Sequence, residues 1–291
     1  MRAALAEPMH ATAPERAASW LLVEHPGPWP SDGLPADLPA GVVAVLERAT
    51  EAGVRPQLIR RVADRRRDVA TVFLASCRPG AAWVERRDLP DLRALAELDV
   101  ARLAAGQLPG FGAPDAGPVV LVCTHGRRDV CCARLGRPVA ALLDAQLPGQ
   151  VWETSHVGGD RFAPNVVSLP DGSYHGGVAS ADVPALVAAL ASGQVLLPRL
   201  RGRAGLPPAA QAADHFVRMR TGAAAVDAVR PVTCSPVRSG ETCVELLVGA
   251  TRWCVHVTVR AAARERLTSC AGDGTVATPN AYDLVALWQL A

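Results

Sequence analysis

The chain has 291 residues, about half of them apolar, and a net charge of +2 in which every basic residue is Arg and none is Lys. That size supports two or three compact units with ordinary cores, and the near-balanced charge argues against a dedicated nucleic-acid binder. No apolar run is long enough to cross a bilayer and the first residues lack a signal-peptide core, so a cytoplasmic protein with no membrane partner is expected, and its eight Cys read as ligands or catalysts before disulfides.

Residues 20–24 read as a short buried strand, 38–52 have helical spacing through Val42, Val45, Leu46 and Ala49, and 54–62 are extended. Strands at 70–76 and 82–86 flank the turn Cys77-Arg78-Pro79-Gly80, and a helix is expected from 90 to 105. The middle third repeats the order: strand 119–122, helix 137–147, strand 151–155, a hairpin of 166–169 and 174–178 across Pro170-Asp171-Gly172, and a helix over 181–191. This β-α-β-β-β-α order is the core of a thioredoxin-like fold. The predicted class is therefore α/β: two tandem thioredoxin-like units, each a mixed sheet flanked by helices, and a small α+β C-terminal appendage. Pro/Gly linkers at 108–118 and 199–208 place the expected boundaries. They give 1–113 as a unit without ligands, 114–203 as the unit with the site, and 204–291 as the appendage. In the appendage a helix over 209–229 and extended runs at 243–248 and 253–259 are predicted.

Two segments about thirty residues apart carry the chemistry. Strand 119–122 breaks into Cys123-Thr124-His125-Gly126-Arg127-Arg128-Asp129-Val130-Cys131-Cys132, and strand 151–155 into His156-Val157-Gly158-Gly159-Asp160-Arg161-Phe162. Soft ligands from both then meet at one sheet end, which points to a metal or redox centre.

The patterns Cys-x-His-Gly-x-Arg-Asp-x-x-Cys and Ser-His-x-Gly-Gly-x-Arg-Phe-Ala-x-Asn, with Trp20-Leu21-Leu22-Val23-Glu24-His25-Pro26-Gly27-Pro28-Trp29, resemble the sucrase/ferredoxin-like family over roughly residues 15 to 200. The resemblance implies a thioredoxin-like ferredoxin domain with a [2Fe-2S] cluster, and a non-enzymatic electron carrier that works with a redox partner protein. It implies Cys123 and Cys132 as cysteine ligands and His156 as a third. Asp160 stands where the family has a second histidine. Three alternatives follow: Asp160 ligates, a neighbouring His125, His175 or Cys131 replaces it, or the cluster is absent. Cys132 is expected at the start of a helix, where the dipole favours thiolate. Gly158 and Gly159, with Gly126, would let backbone approach the centre, and Arg128, with Arg127 and Arg161, would offset negative charge or remain solvated. Pro164 sits where thioredoxin folds often place a cis proline.

Other readings of the same residues are a structural zinc site, a scaffold without a centre, and a thiol enzyme using Cys131 to Arg137 as a Cys-x5-Arg oxyanion loop. No pair of carboxylates is placed for glycoside hydrolysis. Cys77, Cys234, Cys243, Cys254 and Cys270 read as small core residues without ligand spacing, and His10, His25, His215 and His256 as structural or surface histidines. The six tryptophans read as core.

Overall fold

The first strand, β1 (Ser19–Glu24), is buried at every position, so both faces of its sheet are covered and strict polar alternation is absent. The computed structural model describes residues 7–63, 68–267 and 276–290. From β1 the chain crosses through α1 (Ala40–Glu51) to β2 (Arg55–Arg61), parallel to β1, and then forms the antiparallel strands β3 (Ala70–Ser76) and β4 (Trp83–Leu89). The helix expected over 90–105 is instead a 3₁₀ turn, Leu92–Glu97, followed by α2 (Val100–Ala104). Asp91 and Asp99 each accept a backbone N–H from the segment that follows, so two N-caps divide what periodicity reads as one helix. A short strand, β5 (Ala113–Pro114), pairs with β4.

The second half has the same connectivity. β6 (Val119–Cys123), α3 (Val130–Gln146) and β7 (Val151–Thr154) form a parallel crossover, and β8 (Val166–Leu169) and β9 (Ser173–His175) add antiparallel strands before α4 (Val183–Ala191) and β10 (Leu200–Arg203). β2 pairs antiparallel with β7, with Ile59 opposite Thr154, so the halves join edge to edge. One mixed ten-stranded sheet results, in the order β10-β9-β8-β6-β7-β2-β1-β3-β4-β5.

Alternation along the strands divides the core. Leu21 and Val23 of β1 face α1, packing with Val42, Val45 and Leu46, whereas Val120 and Val122 of β6 face α3 and α4. Trp20, Leu22, Phe73, Leu121, Trp152 and Tyr174 point to the opposite side and form one core drawn from both halves, which includes Cys77, Cys123 and Cys132.

Beyond β10, α5 (Pro208–Thr221) ends at Gly222, whose left-handed φ of 72° terminates the helix well before the expected residue 229. Then β11 (Val229–Arg238), β12 (Glu241–Val248), β13 (Thr251–Ala261) and β16 (Asn280–Gln289) make an antiparallel sheet that packs on α5, while β14 (Arg266–Leu267) and β15 (Val276–Ala277) pair separately. β11 is an edge strand, where Pro231 and Pro236 are tolerated. Asp214 of α5 joins this region to β10, accepting from Arg203 at 2.9 Å and Arg218 at 2.8 Å, with all three side chains buried. Among the described residues no helix is long and apolar enough to cross a membrane.

Candidate metal centre

β6 and β7 are parallel neighbours with Cys123 opposite Thr154, so the loops that follow them leave the same end of the sheet. The first loop climbs to α3, whose N-cap is Asp129: its carboxylate accepts from the Cys131 N–H at 2.7 Å. Cys132, two residues into that helix, is fully buried, and α3 lies so close to β6 that a Cβ on Gly136 would collide with the Cys123 carbonyl oxygen. The second loop turns through Gly158 and Gly159, at φ 87° and 73°, a conformation that side chains with a Cβ disfavour.

The sulfurs of Cys123 and Cys132 and a ring nitrogen of His156 lie within 4.8 Å of one another. His156 Nδ1 is buried and has no hydrogen-bond partner within the chain. The two thiols share a hydrogen bond. It pulls the Cys123 thiol well below the ordinary thiol range against the effect of burial, with further help from His156, and it pushes Cys132 up. Burial and the charge at Cys123 add to the rise at Cys132, and Asp129 and Asp160 contribute least. Two cysteines and an imidazole suit zinc or iron–sulfur binding, so the residues fit a metal centre.

Asp160 is buried beside this set but outside it. Burial and, next, a hydrogen bond to the Asp129 carboxylate raise its pKa, while His156 opposes the rise. Of the alternatives, His125 uses both ring nitrogens elsewhere: Nδ1 accepts from the His156 N–H at 3.2 Å, which leaves Nε2 to donate to the Pro30 carbonyl at 2.8 Å. His175 is buried in β9, accepts from the Leu196 N–H at 3.1 Å, and is held down to about 4 by desolvation. The sulfur of Cys131 is not among the converging atoms.

The first half of the chain builds one wall of the centre. The His156 carbonyl accepts from Gln57 Nε2 at 3.3 Å and from Arg55 at 3.4 Å, and Ser155 Oγ donates to Gln57 Oε1 at 2.7 Å. Trp29 stands edge-on to His125. From the other side the buried guanidinium of Arg201 donates to the Gly158 carbonyl at 3.0 Å and to Asn165 Oδ1 at 2.8 Å, and Asn165 Nδ2 donates to the Gly159 carbonyl at 2.9 Å. Burial lowers Arg201 to about 10, and its charge favours a thiolate at Cys123. Neither Arg201 nor Gln57 lies within the two motif segments. Arg128 and Arg161 are engaged with Asp32 and Glu7, and Arg127 is exposed. The Ala163–Pro164 peptide is cis, as expected at that position.

The thiol-enzyme reading is overturned by the backbone. Cys131 to Arg137 lies within α3, so no loop surrounds an oxyanion, and the helix N-terminus is already occupied by the Asp129 carboxylate. Elsewhere Cys77 is a core residue, but Cys234 is exposed on the edge strand β11, and Cys243 and Cys254 lie together with His256 rather than dispersed in a core. Cys270 lies outside the described residues. His25 pairs with Asp37 and His10 stacks on His215, which are structural roles. Trp288 is exposed and packs on His256.

The fold is a mixed α/β one in which the ends of two neighbouring strands gather two cysteines and a histidine, a set able to hold a metal ion. Residues 11–202 match the model of the sucrase/ferredoxin-like family, and the chain belongs to that family. No curated protein and no solved structure gives a significant match.

Proposed function

We propose that the protein is an electron carrier in which Cys123, Cys132, His156 and Asp160 hold a [2Fe-2S] cluster. The observation that carries this reading is the convergence of two buried sulfurs and a His156 ring nitrogen within 4.8 Å at one end of the sheet. When bound, such a cluster supplies one-electron exchange. The chain holds the thiolate at Cys123, fixes the His156 loop from two sides, and keeps a buried cation, Arg201, near the negative charge. Asp160, buried beside these three, would supply the fourth donor through its carboxylate. A carboxylate in place of imidazole leaves the centre one charge unit more negative, which lowers its potential, and only one imidazole remains to titrate with redox state.

The reading extends to the architecture. Each half is a thioredoxin-like unit, with 114–203 as the ferredoxin unit and 204–291 as an appendage. A cleft of about 320 Å³, lined by Trp29, Asp32, Gln57, Arg128 and His156, leads to the histidine side of the centre and is where a redox partner docks. The test is a redox titration of the anaerobically purified chain followed by visible absorption. One-electron bleaching with at most a one-proton slope is expected, and Asp160→His should raise the potential. A two-proton slope in the unaltered chain, or no reducible chromophore, contradicts the proposal.

A single zinc ion is the second reading, favoured by the compactness of the three donors, since atoms bound to one tetrahedral ion all lie within a few ångströms of each other. Metal analysis separates the two.

A further inference from the structure

The C-terminal sheet holds a second cluster of soft donors. β12 and β13 pair with Cys243 opposite His256 and Glu245 opposite Cys254. Paired residues share a face, so these four side chains lie on the side away from α5, while Val244, Leu246, Val255 and Val257 fill the core beneath. The ligand atoms of Cys243, Cys254 and His256 all lie within 4.8 Å of one another, and the two sulfurs, 2.7 Å apart, would separate by about 1 Å to share a tetrahedral ion with bonds to sulfur of about 2.3 Å. Cys254 is buried and the other two are half-buried. Trp288, opposite Cys254 on β16, packs edge-on against His256 at 5.1 Å between ring centres.

Two thiolates and an imidazole are the donors that thiophilic ions take, and three protein ligands leave one position of a tetrahedron open. Glu245 is drawn toward Arg252, at 3.4 Å, which leaves the fourth position to water or an incoming ligand. We propose that Cys243, Cys254 and His256 form an open, exchangeable site for a thiophilic ion of the zinc class, independent of the Cys123 centre. Uptake of a divalent ion by the two thiols releases two protons to solvent and leaves the site neutral.

The test uses the full chain with Cys123→Ser and Cys132→Ser, reduced and kept anaerobic, titrated with Co²⁺ as the spectroscopic probe. One equivalent should bind with a sulfur-to-cobalt charge-transfer band, be displaced by one equivalent of Zn²⁺, and be weakened at least tenfold by adding Cys254→Ser. Absence of the band, or its persistence with Cys254→Ser, overturns the proposal. If the double variant does not fold, zinc content is compared in otherwise unaltered chains after loading and desalting. Cys254→Ser should hold one equivalent less than its parent at equal iron content, and equal zinc overturns the site.

Discussion

The two Cys/His clusters use the same kinds of donor and are built in opposite ways. Around Cys123 the donors leave two parallel strands and a helix start, and the loop bearing His156 is held by Gln57 and Arg55 from the first half and by Arg201 from β10. Around Cys243 the donors sit on two adjacent strands of one hairpin, on an open face, with Trp288 as the neighbouring ring. The first arrangement encloses its ligands by assembling distant chain segments, which suits a resident centre. The second requires only local register, which suits an ion that comes and goes.

The largest expected effect separates the clusters outright. Cys132→Ser should abolish iron binding, whereas Cys243→Ser should leave iron content unchanged; iron assays on both variants check this. Next in size is the junction between the two regions. Asp214→Ala strands Arg203 and Arg218, both buried, without their carboxylate, and should cost about 3–5 kcal/mol, read as a fall in the urea midpoint.

Acid should destabilise the family region through His175. Its folded pKa, about 4, lies below the ordinary 6.5, so the unfolded chain takes up the proton first. Stability from this group is complete above about pH 6.5 and is lost as pH falls toward 4, by about 3 kcal/mol in all. His175→Gln keeps an acceptor for the Leu196 N–H and should flatten that part of the stability profile relative to the parent chain. The smallest effect tests the wall built by the first half. Gln57→Ala removes its hydrogen bonds to the His156 carbonyl and Ser155, and should cost about 1–2 kcal/mol in urea unfolding.

Much of this was legible in the sequence because it is local. Helical spacing located α1 and the later part of α3, which begins at Val130 rather than at the expected 137 because Asp129 caps it there, and the change from apolar strand to Cys/His/Gly loop marked the segments carrying Cys123, Cys132 and His156. What depends on pairing between distant strands leaves no local pattern. The β2–β7 join that makes one sheet is of this kind, as is the donation by Arg201 into the glycine turn. The Cys243 cluster was hidden for a related reason: its spacing matches no ligand motif until register sets Cys243 opposite His256. β11 was missed because Pro231 and Pro236 argue against a central strand, and only an edge position accommodates them. The single carboxylate at Asp160 was visible as a departure from the family's histidine, but its partnership with Asp129 required the fold.

The measurement closest to the central claim is the iron and acid-labile sulfide content of the full chain purified without oxygen, taken alongside its Cys132→Ser variant. About two irons and two sulfides per chain, lost together in the variant, is the predicted result. A chain that carries zinc in place of iron, or no metal at Cys123, Cys132 and His156 after reconstitution, would contradict it.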